Sequence, residues 1–242
     1  MAAKKNELAT MVGENLAGTY KTTKPRSVPE PADISLGQHG AELEATALFI
    51  DIRQSSDITN SFRRQTAAKM LKAYFRGAVT VINANGGRVR SFNGDGMLAL
   101  FIGDLRSSGA SKAAMETKWF VKNILGPKCE RYFQNNRSAL GQNLGFSIGC
   151  GLDDGYVYAV RVGIRGTNDV AWVGRCTNTA AKLSNILQAP QEIAATREVY
   201  KRLPENRRTS TRGTAMWTGE KTGEFGGVSR YYRTSHFGWV IH

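Results

Sequence analysis

The first 40 positions of the chain are mostly polar and hold three of its six prolines (Pro25, Pro29 and Pro31). A short helix over 6–16 followed by an irregular segment is all they predict. From Ala45 the texture changes. Ala45-Thr-Ala-Leu-Phe-Ile-Asp-Ile-Arg53 is a compact apolar run ending in charge, the pattern of a buried strand. Apolar residues then recur at helical spacing over 61–85 (Phe62, Ala67, Met70, Leu71, Tyr74, Phe75, Ala78, Val79, Ile82) and stop at Gly86-Gly87. Two strands, 88–92 and 97–102, flank the turn Asn93-Gly-Asp-Gly96, which predicts a hairpin. A second helix is expected over 108–133. Strands over 144–152 and 155–162 follow, around a turn at Asp153-Asp154-Gly155. A short strand over 170–173 leads through Gly174 into a helix over 177–187. Beyond it the pattern predicts a strand over 192–195, a helix over 197–203, and strands over 214–220 and 229–234. The order β-α-β-β-α-β with further elements behind it predicts an α+β fold, ferredoxin-like with extra C-terminal strands and helices. The corresponding organisation is a polar segment over 1–40 and one domain over 41–242.

Asp51 closes a buried strand and Asp95 sits at the tip of a hairpin. In a β-α-β-β topology those two elements are neighbours, so both carboxylates converge on one edge of the sheet. Two carboxylates there repel unless a cation neutralises them, and hard Mg²⁺ or Mn²⁺ prefers oxygen ligands. Two metal ions on two aspartates suit in-line phosphoryl transfer. Asn-Gly-Asp-Gly by itself also reads as a plain β-turn. A carboxylate inside an apolar strand is harder to dismiss, because it is costly without a partner.

Composition adds boundaries. The 242 residues carry a formal net charge of +13. That charge suits either nucleic acid or a small polyanion such as a nucleoside triphosphate, and equally a plain solvated surface. No apolar run reaches the roughly 20 residues of a membrane helix, and the start lacks the apolar stretch of a secretory signal. Three cysteines (Cys129, Cys150, Cys176) have no paired spacing and read as reduced thiols, so a cytoplasmic location is expected. The three histidines and three cysteines form no zinc pattern.

Four blocks together carry a resemblance. Phe49-Ile-Asp-Ile-Arg53, Gly86-Gly-Arg-Val-Arg-Ser-Phe-Asn-Gly-Asp-Gly-Met-Leu-Ala-Leu-Phe101, Gly149-Cys-Gly-Leu-Asp-Asp-Gly-Tyr-Val157 and Trp172-Val-Gly-Arg-Cys-Thr-Asn-Thr-Ala-Ala-Lys-Leu183 resemble the successive motifs of class III nucleotidyl cyclases, in order and with suitable spacing. The resemblance implies that Asp51 and Asp95, with the Ile52 carbonyl, hold two divalent metal ions. Backbone amides from Arg53 to Ser56, Ser55 included, would cradle the triphosphate. Asn178 would orient the ribose. These enzymes act as head-to-tail homodimers, one subunit supplying the aspartates and the other the Asn178 helix. The 3′-hydroxyl attacks the α-phosphate and pyrophosphate leaves.

Two departures narrow the substrate. The positions at which the family reads a purine are Ser91 and Ala171 here, both small and uncharged. The texture resembles the pyrimidine cyclases of bacterial Pycsar anti-phage systems, whose cyclic UMP or cyclic CMP acts on a separate effector. Arg90, Asn93 and Arg175 are mostly donors, which favours the two carbonyls of uracil and so UTP over CTP. The family's transition-state arginine is Lys182 here, which keeps the charge and loses the bidentate fork. Arg175, Arg161 or Lys221, the last in an expected loop over 219–223, are the other cations available. Nucleic acid and membrane are not expected partners. The alternatives are a cytidylate cyclase, an adenylyl or guanylyl cyclase with a divergent base pocket, and a non-catalytic nucleotide sensor.

Overall fold

A computed structural model describes residues 2–53, 55–133, 146–187 and 189–241. Its contacts divide the chain into two compact units, one of residues 1–43 with 156–174, the other of 44–155 with 175–242. A segment from the middle of the chain thus belongs to the same unit as the N-terminal residues.

In the smaller unit α1 (Ala2–Ala17) precedes a short strand β1 (Lys21–Thr23), which pairs in parallel with the start of β2 (His39–Ile52). The later part of β5 (Ile148–Ile164) forms a hairpin with β6 (Thr167–Val173). Ile34, Ala41, Ala159 and Val170 make its small core, with Trp172 packed against them. Thr22 and Tyr158 share a hydroxyl hydrogen bond of 2.8 Å.

The larger unit is built on a sheet in the order β3-β4-β2-β5-β7-β9-β8. The stretch β3-β4-β2-β5 is the ferredoxin-like arrangement that the pattern predicts. Here β3 spans Arg88–Asn93, β4 Gly96–Phe101, β7 Ile193–Thr196, β8 Lys221–Glu224 and β9 Ser229–Ser235. Strand alternation sends Leu48, Ile50 and Ile52 into one core with Met97, Ala99 and Phe101 of β4 and Cys150 and Leu152 of β5. Helices α3 (Arg64–Ala84) and α4 (Arg106–Phe120) cover that face through Met70, Tyr74, Ala78, Ala113 and Met115. The opposite face carries Phe49 and Asp51, and there α6 (Arg175–Ile186) lies over β5.

Several elements differ from expectation. The helix expected over 61–85 forms as α3, and a further short helix, α2 (Ser55–Ser61), precedes it, set apart by buried Phe62 and extended Arg63. The helix expected over 108–133 widens into a π-turn at Val121–Leu125 before α5 (Gly126–Phe133). Pro127 brings no N–H to the ladder, and the Gly126 amide reaches five residues back to the Val121 carbonyl. No turn forms at Asp153–Gly155, where β5 runs straight through; the expected strand start at 144 and 145 lies outside the described residues. A strand over 214–220 does not form either. Only Thr209 and Ala215 bridge, while Met216 and Trp217 are buried. Lys221, expected in a loop, opens β8 opposite Tyr232. After β7 come two short helices, α7 (Arg197–Arg202) and α8 (Glu205–Arg208).

Candidate active site

The hairpin between β3 and β4 closes through Gly94 and Asp95, with Asn93 opposite Gly96. Gly94 has φ of +64°, a left-handed conformation that a side chain would strain. The turn lifts Asp95 toward the end of β2. A Cβ placed on Gly96 would stand 3.0 Å from Asp51 Oδ1 and 2.9 Å from the Phe49 ring. Gly96 thus leaves the room that Asp51 occupies. The two carboxyls are near enough for the charge of one to act on the other. Burial, and then the charge of Asp95, push the Asp51 carboxyl above its usual range, while Arg53 and the Ile52 amide pull it back.

Such a pair fits a small hard cation. Mg²⁺ and Mn²⁺ take one or two carboxylates and complete their shell from carbonyls, water and phosphate oxygens. Among the described residues no group of three His, Cys, Asp or Glu side chains converges anywhere. Any remaining ligands are then of those other kinds, such as the Ile52 carbonyl.

Register places the base-reading candidates. Phe49 pairs with Leu98, and Leu98 with Ser91, so Ser91 shares the Asp51 face one step further along. Asn93 lies on that face as well, exposed beside the turn. A register shift between Val89 and Ser91 puts a bulge at Arg90. Ala171 belongs to the smaller unit, half-buried on β6 opposite Val160. Arg161 lies in that unit too, its Nε donating to Asn168 Oδ1 at 2.7 Å.

Helix α6 is amphipathic by period. Cys176, Thr177, Ala180, Leu183 and Ser184 face the sheet. Arg175, Asn178 and Lys182 are exposed and fall at i, i+3 and i+7, which is a single stripe. The helix sits close because β5 has glycine beneath it: a Cβ on Gly151 would overlap the Ala180 carbonyl. Lys182 reaches toward the turn before β9, its Nζ 3.0 Å from where a Gly226 Cβ would be.

The Arg53 amide does not belong to a phosphate cradle. It donates to the Ser147 carbonyl at 2.9 Å. Gln54 lies outside the described residues, so the described amides left for a cradle are those of Ser55 and Ser56 at the start of α2. The Arg53 side chain has a task that the sequence did not announce. Its Nη1 donates to the Asn185 carbonyl at 3.3 Å near the end of α6, and its Nη2 fills the space a Gly149 Cβ would take. One arginine therefore ties the end of β2 to α6. The glycines of Gly149-Cys-Gly151 were the only sequence signal of that close approach.

No family model matches the sequence. Curated relatives do, among them two that match over most of the chain. A uridylate cyclase of Xanthomonas perforans is 33% identical over 214 residues, covering 88% of this chain and 89% of the relative. A uridylate cyclase of Burkholderia cepacia is 30% identical over 241 residues, 98% of each. The chain belongs to the uridylate cyclase family. It is a nucleotidyl cyclase by that membership, an enzyme of the lyase class. The guanylyl cyclase Cya2 matches it in structure with a TM-score of 0.68 at 18% identity, over 83% of this chain and 95% of the other. That likeness gives the family member a class III cyclase catalytic fold. Among the described residues no helix is long and apolar enough to cross a membrane.

Proposed function

We propose that the chain is a uridylate cyclase converting UTP to 3′,5′-cyclic UMP and pyrophosphate at composite sites of a homodimer. The observation that carries the reading is the pairing of Asp51 with Asp95 on the face that also bears Ser91. Asp51, Asp95 and the Ile52 carbonyl would hold two divalent cations, Mg²⁺ or Mn²⁺. Bound there, the cations supply charge neutralisation for the triphosphate and acidify the ribose hydroxyl.

The chain's own residues do the rest. The amides of Ser55 and Ser56 bind phosphate oxygens. Asn178 of one subunit orients the ribose on the aspartates of the other. In the reaction the 3′-hydroxyl gives its proton to solvent water, its oxygen bonds to the α-phosphorus, and the bond to the bridging oxygen breaks with pyrophosphate leaving. Lys182 and Arg175, on the Asn178 stripe, offset the charge that develops on the α-phosphate. Lys221, on an exposed strand paired with Tyr232, is the more distant cation along the chain and stands behind them. Neither Ser91 nor Ala171 brings a charge to read the base, and Asn93 and Arg175 offer donors to uracil carbonyls. Cyclic UMP would then act on a separate effector in a cytoplasmic anti-phage response.

The test is direct. Purified protein with Mn²⁺ is given each of ATP, GTP, CTP and UTP, and products are identified by mass. Cyclic UMP as the main product supports the reading, and cyclic CMP as the main product replaces uracil by cytosine. A purine product alone overturns the argument from Ser91 and Ala171. Nucleotide binding without turnover makes the chain a sensor.

A further inference from the structure

Alternation along β2 turns Asp51 away from the face that packs on Met70 of α3, and it is beyond Met70 that a cavity opens. It lies between α3 and the π-turn with α5, with a volume of about 620 Å³. That is within the roughly 300–1,000 Å³ of small-molecule sites. Met70, Phe120 and Leu125 give it an apolar wall. Lys69, Arg76 and Lys128 also line it, and no acidic residue does among the described residues. Among the described residues none of these three cations has an ion pair, and all three are exposed. Helix α3 carries no acid anywhere along its 21 residues. Glu130, the acid of α5, lines a different cavity.

Two kinds of surface meet here, and each excludes a class of ligand. An uncharged apolar molecule would cover the wall and leave three like charges at its rim without a counter-ion. A small inorganic anion would satisfy the charges and leave the wall in contact with water. A ligand with an extended apolar body and one anionic end satisfies both. We propose that this cavity binds one long-chain fatty acid, the chain along Met70, Phe120 and Leu125 and the carboxylate among Lys69, Arg76 and Lys128. The site is concave, which favours a free acyl chain over a membrane surface.

The experiment titrates the full chain with oleate below its micellar concentration, in parallel with oleyl alcohol, which has the same chain without the charge. Saturable binding of one oleate per chain is expected, with oleyl alcohol about tenfold weaker or more, a difference near 1.4 kcal/mol. Lys69→Glu and Lys128→Glu, both at exposed positions, should each weaken oleate about tenfold. Ala73→Trp, which fills the cavity from α3, should abolish binding. Nucleotide turnover without oleate should be the same in all three variants. Absence of saturable binding overturns the proposal, as does equal affinity for the alcohol or indifference to the substitutions. Adhesion to vesicles of anionic phospholipid without affinity for free oleate also overturns it and assigns the surface to a membrane.

Discussion

Asp51 occupies the last outward-facing position of β2, between Ile50 and Ile52, which point into the core. Its place follows from period two alone, but its charge does not suit it. Burial and the neighbouring Asp95 both raise its proton affinity, so the metal-free fold holds a proton there to higher pH than the unfolded chain does. The sign follows. Stability from that proton is complete below the ordinary carboxylate value of 3.8 and is lost as pH climbs through the raised one. Asp51→Asn removes the penalty. In EDTA the variant should melt higher than the parent at pH 7 and lose that advantage near pH 3.5; calorimetry at the two pH values checks both. Mn²⁺ should raise the parent's melting temperature and leave the variant's unchanged, while turnover falls by a factor of about 1,000. An unchanged melting temperature at pH 7 would refute the account of Asp51. Asp51 and Asp95 were legible in the sequence because one stands in an apolar run and the other in a turn that admits few residues. The engagement of Arg53 was not, since the Ser147 and Asn185 carbonyls that meet it come from nearly 100 residues or more along the chain.

At the scale of elements, β5 shows why local pattern fails where partners are distant. Asp153-Asp154-Gly155 has the composition of a turn, and in isolation it would make one. Both aspartates are instead buried inside a 17-residue strand. Asp153 accepts from Thr196 Oγ1 at 2.7 Å and pairs with buried Arg230 at 3.1 Å. Asp154 meets Arg106 at 2.7 Å, Arg202 at 2.9 Å and the Thr46 hydroxyl at 2.7 Å. Arg106 and Arg202 also pair with Glu44. The network thereby joins β2, α4, β5, β7, α7 and β9, and every partner is more than 40 residues from the aspartates. Desolvation still outweighs these partners at Asp153, whose carboxyl stays above its usual range. Arg230→Met should strand that carboxylate in the interior and destabilise the fold by about 3 kcal/mol at neutral pH. Urea unfolding at pH 7 and pH 5 checks it, with the loss smaller at the lower pH, because a raised carboxyl is more often protonated there. An equal loss at both would mean that Arg230 acts through packing alone. The elements that were legible, α3 above all, are those whose period spans many residues. The strand missed at 221–224 is four residues long, with three of its side chains exposed.

For the molecule as a whole, the decisive question is how one chain's two sets of functional residues are used. Arg53 fastens the end of β2 to the carboxyl end of α6, so the aspartate pair and the Asn178 stripe are held in one rigid frame. The side chains of Asn178, Arg175 and Lys182 nevertheless face solvent and make no hydrogen bond or ion pair among the described residues. A stripe exposed in this way is expected where a second subunit completes the site, as the proposed homodimer requires. The consequence is a complementation that no single-chain site would show. Asp51→Asn and Asn178→Ala should each be inactive alone. Mixed in equal amounts, unfolded and refolded together, half of the dimers pair one of each. In such a dimer one site joins intact Asp51 to intact Asn178, while the other carries both defects. About a quarter of the parental activity should therefore return. No recovery, with mixed dimers verified by mass, would place Asp51 and Asn178 in the same subunit's site. Recovery that follows the fraction of mixed dimers as the ratio is varied would show that the aspartate pair of one chain works on the helix of the next.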